Sequence, residues 1–186
     1  LPDPQDCTPK PQRFQTTPLE LDSHLARTVF AFLKEENTKM SEHNKAIVRR
    51  LFAELWNTGN LSVADEIFSP NYSHHDPSTP DFGRGPDSEK KRATLYRTAF
   101  PDLHLTIEDV IAEGETVMTR WSCRGTHKGQ LNDIAPTGKQ VNISGITVAR
   151  VSNGKIVEGY VNWDAQGLMQ QLGVVPQLAK SMAAAR

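Results

Sequence analysis

Along the chain, apolar positions change their period near the middle. Leu21, Leu25, Val29, Phe32 and Leu33 recur at helical spacing. They follow Thr17-Pro18-Leu19-Glu20, where Thr can cap, Pro suits the first helical position and Glu stands at N3. This predicts an amphipathic helix over 18–39, with its stripe ending near Glu36; the stripe must cover something, its own domain in preference to a partner chain. A new helix is expected from Met40-Ser41, with Ile47, Leu51 and Leu55 in one row and Val48, Phe52 and Trp56 in another, stopping at Gly59. Asn60 can cap a short helix carrying Leu61, Ala64, Ile67 and Phe68. A short strand over 72–76, a Pro/Gly-rich loop over 77–85 and a helix from Pro86 to Ala99 complete the first half.

From Asp102 the period is two. Leu103, Leu105 and Ile107 alternate with polar residues, and Val117, Thr119, Trp121 and Cys123 share one face of the next strand. Strands over 141–151 and 155–164 flank Asn153-Gly154, the strongest short hairpin signal. A short helix over 167–172 stops at Gly173. Helices first and a meander of strands afterwards predict an α+β fold.

A two-residue turn at Asn153-Gly154 sets Thr147 opposite Tyr160, Gly145 opposite Asn162 and Ile143 opposite Asp164. Glu158, Tyr160, Asn162 and Asp164 then share one face, and Val157, Val161 and Trp163 the other. The apolar face, with Ile146 and Val148, is expected to be buried against helices or another subunit. The polar row is either a solvated face or the lining of an internal pocket. In a pocket with apolar walls, a carboxylate resists ionisation, which suits a general acid/base near neutral pH.

Composition narrows the partners. The 186 residues carry 21 basic and 22 acidic side chains, net −1, so no general electrostatic pull toward nucleic acid or an anionic membrane is expected. No apolar run approaches the ~18–20 residues of a membrane span, which predicts a soluble protein. Cys7 and Cys123 cannot make a four-ligand zinc site and read as reduced thiols of a cytoplasmic protein. Residue 1 is Leu, which leaves a cleaved signal upstream open. Pro2, Pro4, Pro9 and Pro11 mark residues 1–17 as an extended leader, and 177–186 read as a tail.

An ordered series of short motifs carries a resemblance. It comprises Asn44-Lys45-Ala46, Trp56-Asn57, Tyr72 to Pro77 with His75, Phe100-Pro101-Asp102, Arg124-Gly125-Thr126-His127-Lys128-Gly129 and Pro136-Thr137-Gly138. Arg150, Gly154-Lys155-Ile156-Val157-Glu158, Trp163-Asp164 and Gln171-Leu172-Gly173 follow. Together they resemble the SnoaL-like polyketide cyclases, within the NTF2-like superfamily, over a domain at 41–176. The resemblance implies a cone: a curved antiparallel sheet around a deep cavity with N-terminal helices, here preceded by an extra N-terminal helix. It also implies intramolecular aldol cyclisation of a polyketide-like ester without metal or organic cofactor, and a homodimer through the outer sheet face, a use that the Val157/Val161/Trp163 row fits. The implied catalytic residue is the Asp before the closing helix, here Asp164.

Each candidate also has a plainer reading. Asp164 is an acid/base or a helix N-cap, roles that demand opposite pKa shifts. His75 is a second catalytic candidate or a rim histidine; neighbours on a strand point opposite ways, so His74-His75-Asp76 gives no metal site. Tyr160 and Asn162 could orient a substrate carbonyl. Trp121 packs on a flat ligand or is core. His127 gates the mouth or lies on the surface. The leading function is a cofactor-independent cyclase or isomerase acting on a small hydrophobic carbonyl compound. The alternatives are a non-catalytic hydrophobic-ligand module and an oligomeric interaction protein.

Overall fold

The computed structural model describes residues 23–176; the leader at 1–17, the helix start at 18–22 and the tail at 177–186 lie outside the described residues. The chain divides into two compact units, 1–35 and 36–186. The described part of the first is the opening of α1 (Ser23–Arg50), where Leu25, Val29, Phe30, Phe32 and Leu33 are exposed. Within the second, α1 runs through Met40 and Ser41 without the predicted fresh start. Neither residue is a strong breaker. The pairs Glu36–Lys39 and Glu42–Lys45, at 3.4 and 2.9 Å, add modest i,i+3 support on either side.

The helix continues over Leu51–Thr58 with the wider π-helical turn, ended by Gly59 at φ 73°. Leu51, Phe52 and Leu55 are buried, as their spacing predicts. Asn57 pins this segment to the sheet: its side chain accepts the Leu105 N–H at 2.8 Å and donates to the Leu105 carbonyl at 2.9 Å. Then follow α2 (Val63–Ile67), β1 (Phe68–His75), α3 (Pro86–Ala99), β2 (His104–Glu113), β3 (Thr116–Thr126), β4 (Gln140–Ser152), β5 (Lys155–Trp163) and α4 (Ala165–Leu172).

The five strands form one open sheet in the order β1-β5-β4-β3-β2, antiparallel except that β1 runs parallel to β5. This is the expected α+β fold, with helices leading into a curved, unclosed sheet. Asn153 and Gly154, at φ 51° and 72°, make the predicted hairpin turn. Next to it Ser152 pairs with Lys155 and Val151 with Ile156, but Arg150 pairs with Glu158. Val157 is thus one residue too many, a β-bulge.

That bulge changes the partners of β5 and decides between the two readings of its polar row, which is an exposed face and not a pocket lining. Beyond it Tyr160 lies opposite Val148 and Asn162 opposite Ile146, where the unbulged hairpin would set them against Thr147 and Gly145. A one-residue slip moves every later side chain to the other side of the sheet. Ile156, before the bulge, is buried, and after it Val161 and Trp163 turn inward while Tyr160 and Asn162 are exposed. Val161 and Trp163 are therefore no outer face for a second copy.

Gly145 pairs with Trp121 on one side and Trp163 on the other. A Cβ there would lie 2.4 Å from the Trp121 ring and 2.8 Å from Trp163 Cβ, so the absent side chain makes room for an indole. Gly145→Val is expected to destabilise the protein by about 1–3 kcal/mol through overpacking, read as a lower urea midpoint at unchanged slope.

Candidate active site

The sheet and the helices facing it enclose a cavity of about 120 Å³. Most of its wall is apolar: Leu51 and Phe52 from the helical side, Leu103, Leu105, Ile143 and Val161 from the sheet. Trp56, Trp121 and Trp163, all the tryptophans of the chain, line it together with Tyr72 and Tyr96. Trp121 donates its indole N–H to Thr147 Oγ1 at 3.0 Å, which fixes the ring.

One side of the wall is ionisable. Alternation along β1 turns Tyr72 and His74 inward, and Asp76 follows where the strand ends. Gly159 lies opposite His74, and its missing side chain leaves room for the Tyr72 hydroxyl. On α3, Glu89, Arg92 and Tyr96 stand at i, i+3 and i+7, so they share the face turned to the cavity.

His74 Nδ1 lies 2.9 Å from the Tyr72 hydroxyl and 3.1 Å from Glu89 Oε1. Glu89 is ion-paired with Arg92, and both are buried. His74 Nε2 stands 4.0 Å from Asp76 Oδ2, an ion-pair distance too long for a hydrogen bond, and it has no other partner. Asp76 accepts the Trp163 indole N–H at 2.9 Å and the Ser78 backbone N–H at 2.8 Å. Two carboxylates thus face one guanidinium and one imidazole in a largely apolar enclosure.

These contacts set the proton affinities. Burial by itself would lower the His74 pKa, but the Asp76 and Glu89 carboxylates outweigh it and hold the imidazole above its ordinary value. Burial would raise Asp76; His74, Ser78 and Trp163 together hold it below the usual carboxylate range. Burial pushes the Tyr96 phenol up to about 12 and the Cys123 thiol, also on the wall, up to about 12. Both stay protonated at neutral pH.

Of the residues singled out in the sequence, the structure brings only Trp121 to this cavity. Asp164 is exposed and caps α4, its Oδ1 accepting the Gly167 N–H at 2.8 Å. His75 and Tyr160 do meet, but on the opposite face of the sheet. Their rings stack at 4.4 Å, and Glu158 accepts from both at 3.1 Å. Asn162 shares that exposed face. His127 neither gates a mouth nor lies on the surface: it is fully buried and takes the Thr137 N–H on Nδ1 at 3.2 Å. Burial lowers its pKa, and it holds the loop between β3 and β4.

Tyr72, His74, Asp76, Glu89, Arg92 and Tyr96 carried signals that polarity obscured. The first three alternate at i, i+2 and i+4 along a strand, and the other three fall on one helical face. The His74 imidazole is expected to titrate above 6.5 in a nuclear magnetic resonance pH series, and Glu89→Gln to lower that value. Because the folded pKa is the raised one, the stability His74 contributes is complete below its unfolded pKa and is lost as pH rises through the folded value. Asp164→Ala is expected to cost about 1 kcal/mol in chemical denaturation, the loss of a helix cap.

The family model of the SnoaL-like polyketide cyclases matches residues 46–172. Aklanonic acid methyl ester cyclase DnrD of Streptomyces peucetius is 30% identical over 134 residues, 68% of this chain and 88% of that protein. Among solved structures, a candidate polyketide cyclase from Acidithiobacillus ferrooxidans superposes with TM-score 0.65 at 32% identity, covering 71% of this chain and 95% of its own. AclR from Streptomyces galilaeus, a candidate hydroxylase, superposes with TM-score 0.66 at 27% identity over 75% of this chain and 87% of its own. Motif series, fold and family model agree, and the chain belongs to the SnoaL-like polyketide cyclase family.

Proposed function

We propose that this protein is a cofactor-independent cyclase of aldol type. It acts on a small, polyketide-like compound whose reacting carbon is activated by carbonyl groups. The acid/base is a pocket pair, His74 with Asp76, in place of Asp164. The observation that carries this reading is the buried imidazole with one nitrogen held by Glu89 and Tyr72 and the other without a hydrogen-bond partner.

In the neutral form, His74 Nε2 takes the proton from the activated carbon, and the bonding pair moves into the enolate. Asp76 and Glu89 stabilise the imidazolium that results, each as a fixed negative charge in a low-dielectric wall. Tyr96, kept protonated by burial, donates to the developing oxyanion. The enolate carbon then bonds to a second carbonyl carbon of the same molecule, closing the ring. The alkoxide formed takes the proton back from His74, so no proton is gained or lost. Trp56, Trp121 and Trp163 offer flat apolar surface that folds such a chain and keeps water from the enolate.

The test is deuterium uptake at the acidic carbon of a panel of 1,3-dicarbonyl esters and ketosteroids in D2O. Wild-type protein is expected to accelerate uptake, with a rate that rises with pH as His74 loses its proton. His74→Asn and Asp76→Asn are each expected to lower it by 10²-fold or more, the order a general acid/base contributes. Loss in Asp164→Asn with retention in both cavity variants would return the chemistry to the helix cap. Tight binding of the panel without any uptake would leave a hydrophobic-ligand module.

A further inference from the structure

The ionisable wall of the cavity is thin. His74, Asp76, Thr79 and Arg92 line the cavity on one side, and they also line a separate cleft of about 220 Å³ on the other. The loop over 77–85 completes that cleft, adding Asp81 and Arg84. The cavity alone, at about 120 Å³, lies below the ~300–1,000 Å³ of ordinary small-molecule sites. A substrate able to fold and close a ring needs more room, and the cleft beyond this wall is the adjoining space.

The wall is short of acceptors. Arg92 is 5% exposed, and its Nε has no hydrogen-bond partner among the described residues; Thr79 Oγ1 has none either. Burying such groups unpaired costs free energy that a bound ligand can return. One cation of the cleft is left without a carboxylate of its own. Arg92 is matched by Glu89 and His74 by Asp76 and Glu89, while Asp81 turns Oδ1 onto the Gly83 N–H at 2.8 Å. Arg84 is exposed and has no ion pair or hydrogen bond among the described residues. The Phe82 ring lies against the Arg92 guanidinium, 5.2 Å from its centroid, and so shields it from water.

We propose that the cleft is a carboxylate subsite, with Arg84 and Arg92 as its cations and Thr79 as a hydroxyl donor. The substrate would therefore be a keto compound bearing a free carboxylate, unlike the methyl ester for which the Streptomyces peucetius relative is named. The reacting carbonyl lies at His74 inside the cavity, and the acidic arm reaches across the wall into the cleft. This rests on the cavity being the site of carbonyl chemistry.

The test is calorimetric titration at neutral pH with 3-benzoylpropionate and with its methyl ester, a pair differing in the charge of the arm and by one methyl group. The acid is expected to bind about tenfold more tightly than the ester, the scale of one charge-assisted hydrogen bond. Arg84→Gln, at an exposed position, is expected to erase most of that preference and leave the affinity for the ester unchanged. Arg92→Lys keeps the charge beside Glu89 and is expected to weaken the acid selectively. An ester bound as well as the acid, an acid that does not bind, or a preference that survives Arg84→Gln would each overturn the subsite. Deuterium uptake separates the two readings: uptake without acid preference removes the subsite alone. Acid preference without uptake by any of the dicarbonyl panel removes the cyclase and keeps the subsite.

Discussion

One additional residue in β5 governs what the cavity contains. The Val157 bulge absorbs a position between the Asn153-Gly154 turn and the rest of the strand, so Val161 and Trp163 face inward. Trp163 in turn holds Asp76 by its indole N–H, and Asp76 stands beside His74. Without the bulge, Tyr160 and Asn162 would occupy the interior and Asp76 would lose that donor. The electrostatic character of the wall thus descends from a feature of backbone register.

The same wall illustrates how buried charge is tolerated. Each ion there would be costly alone, but His74, Glu89, Arg92 and Asp76 answer one another in a chain. Removing one member leaves its neighbour uncompensated, at a cost of about 3–5 kcal/mol in comparable buried pairs. The contacts come from β1 and α3, which are joined by the loop over 77–85. Local order in that loop and the ionisation of the cluster are therefore linked.

Much of the architecture was legible in the residues. The Ile47/Leu51/Leu55 and Val48/Phe52/Trp56 rows, the Pro86–Ala99 helix and the Val117/Thr119/Trp121/Cys123 face all follow from period and punctuation. The candidate site was not, for two physical reasons. Alternation counts residues but does not register a bulge, and the hairpin signal at Asn153-Gly154 holds only to the first disruption of the ladder. Polar residues on an otherwise ordinary helix, such as Glu89 and Arg92, read as solvated until the partner strand is known. Asp164 combined the two: its position fitted the family pattern, while its geometry is that of a cap.

The gathering of Trp56, Trp121 and Trp163 around one enclosure has an optical consequence. Indole dominates protein emission in the near ultraviolet, and this chain has no other indole. Its emission therefore arises from a single small volume, with Tyr96 6.2 Å from the Trp56 ring and 6.4 Å from the Trp163 ring, near enough to pass excitation to both. Because Trp163 is hydrogen-bonded to the Asp76 carboxylate, part of that light carries the protonation state of the ionisable wall. The fold has placed its only chromophores of this kind around its ionisable cavity.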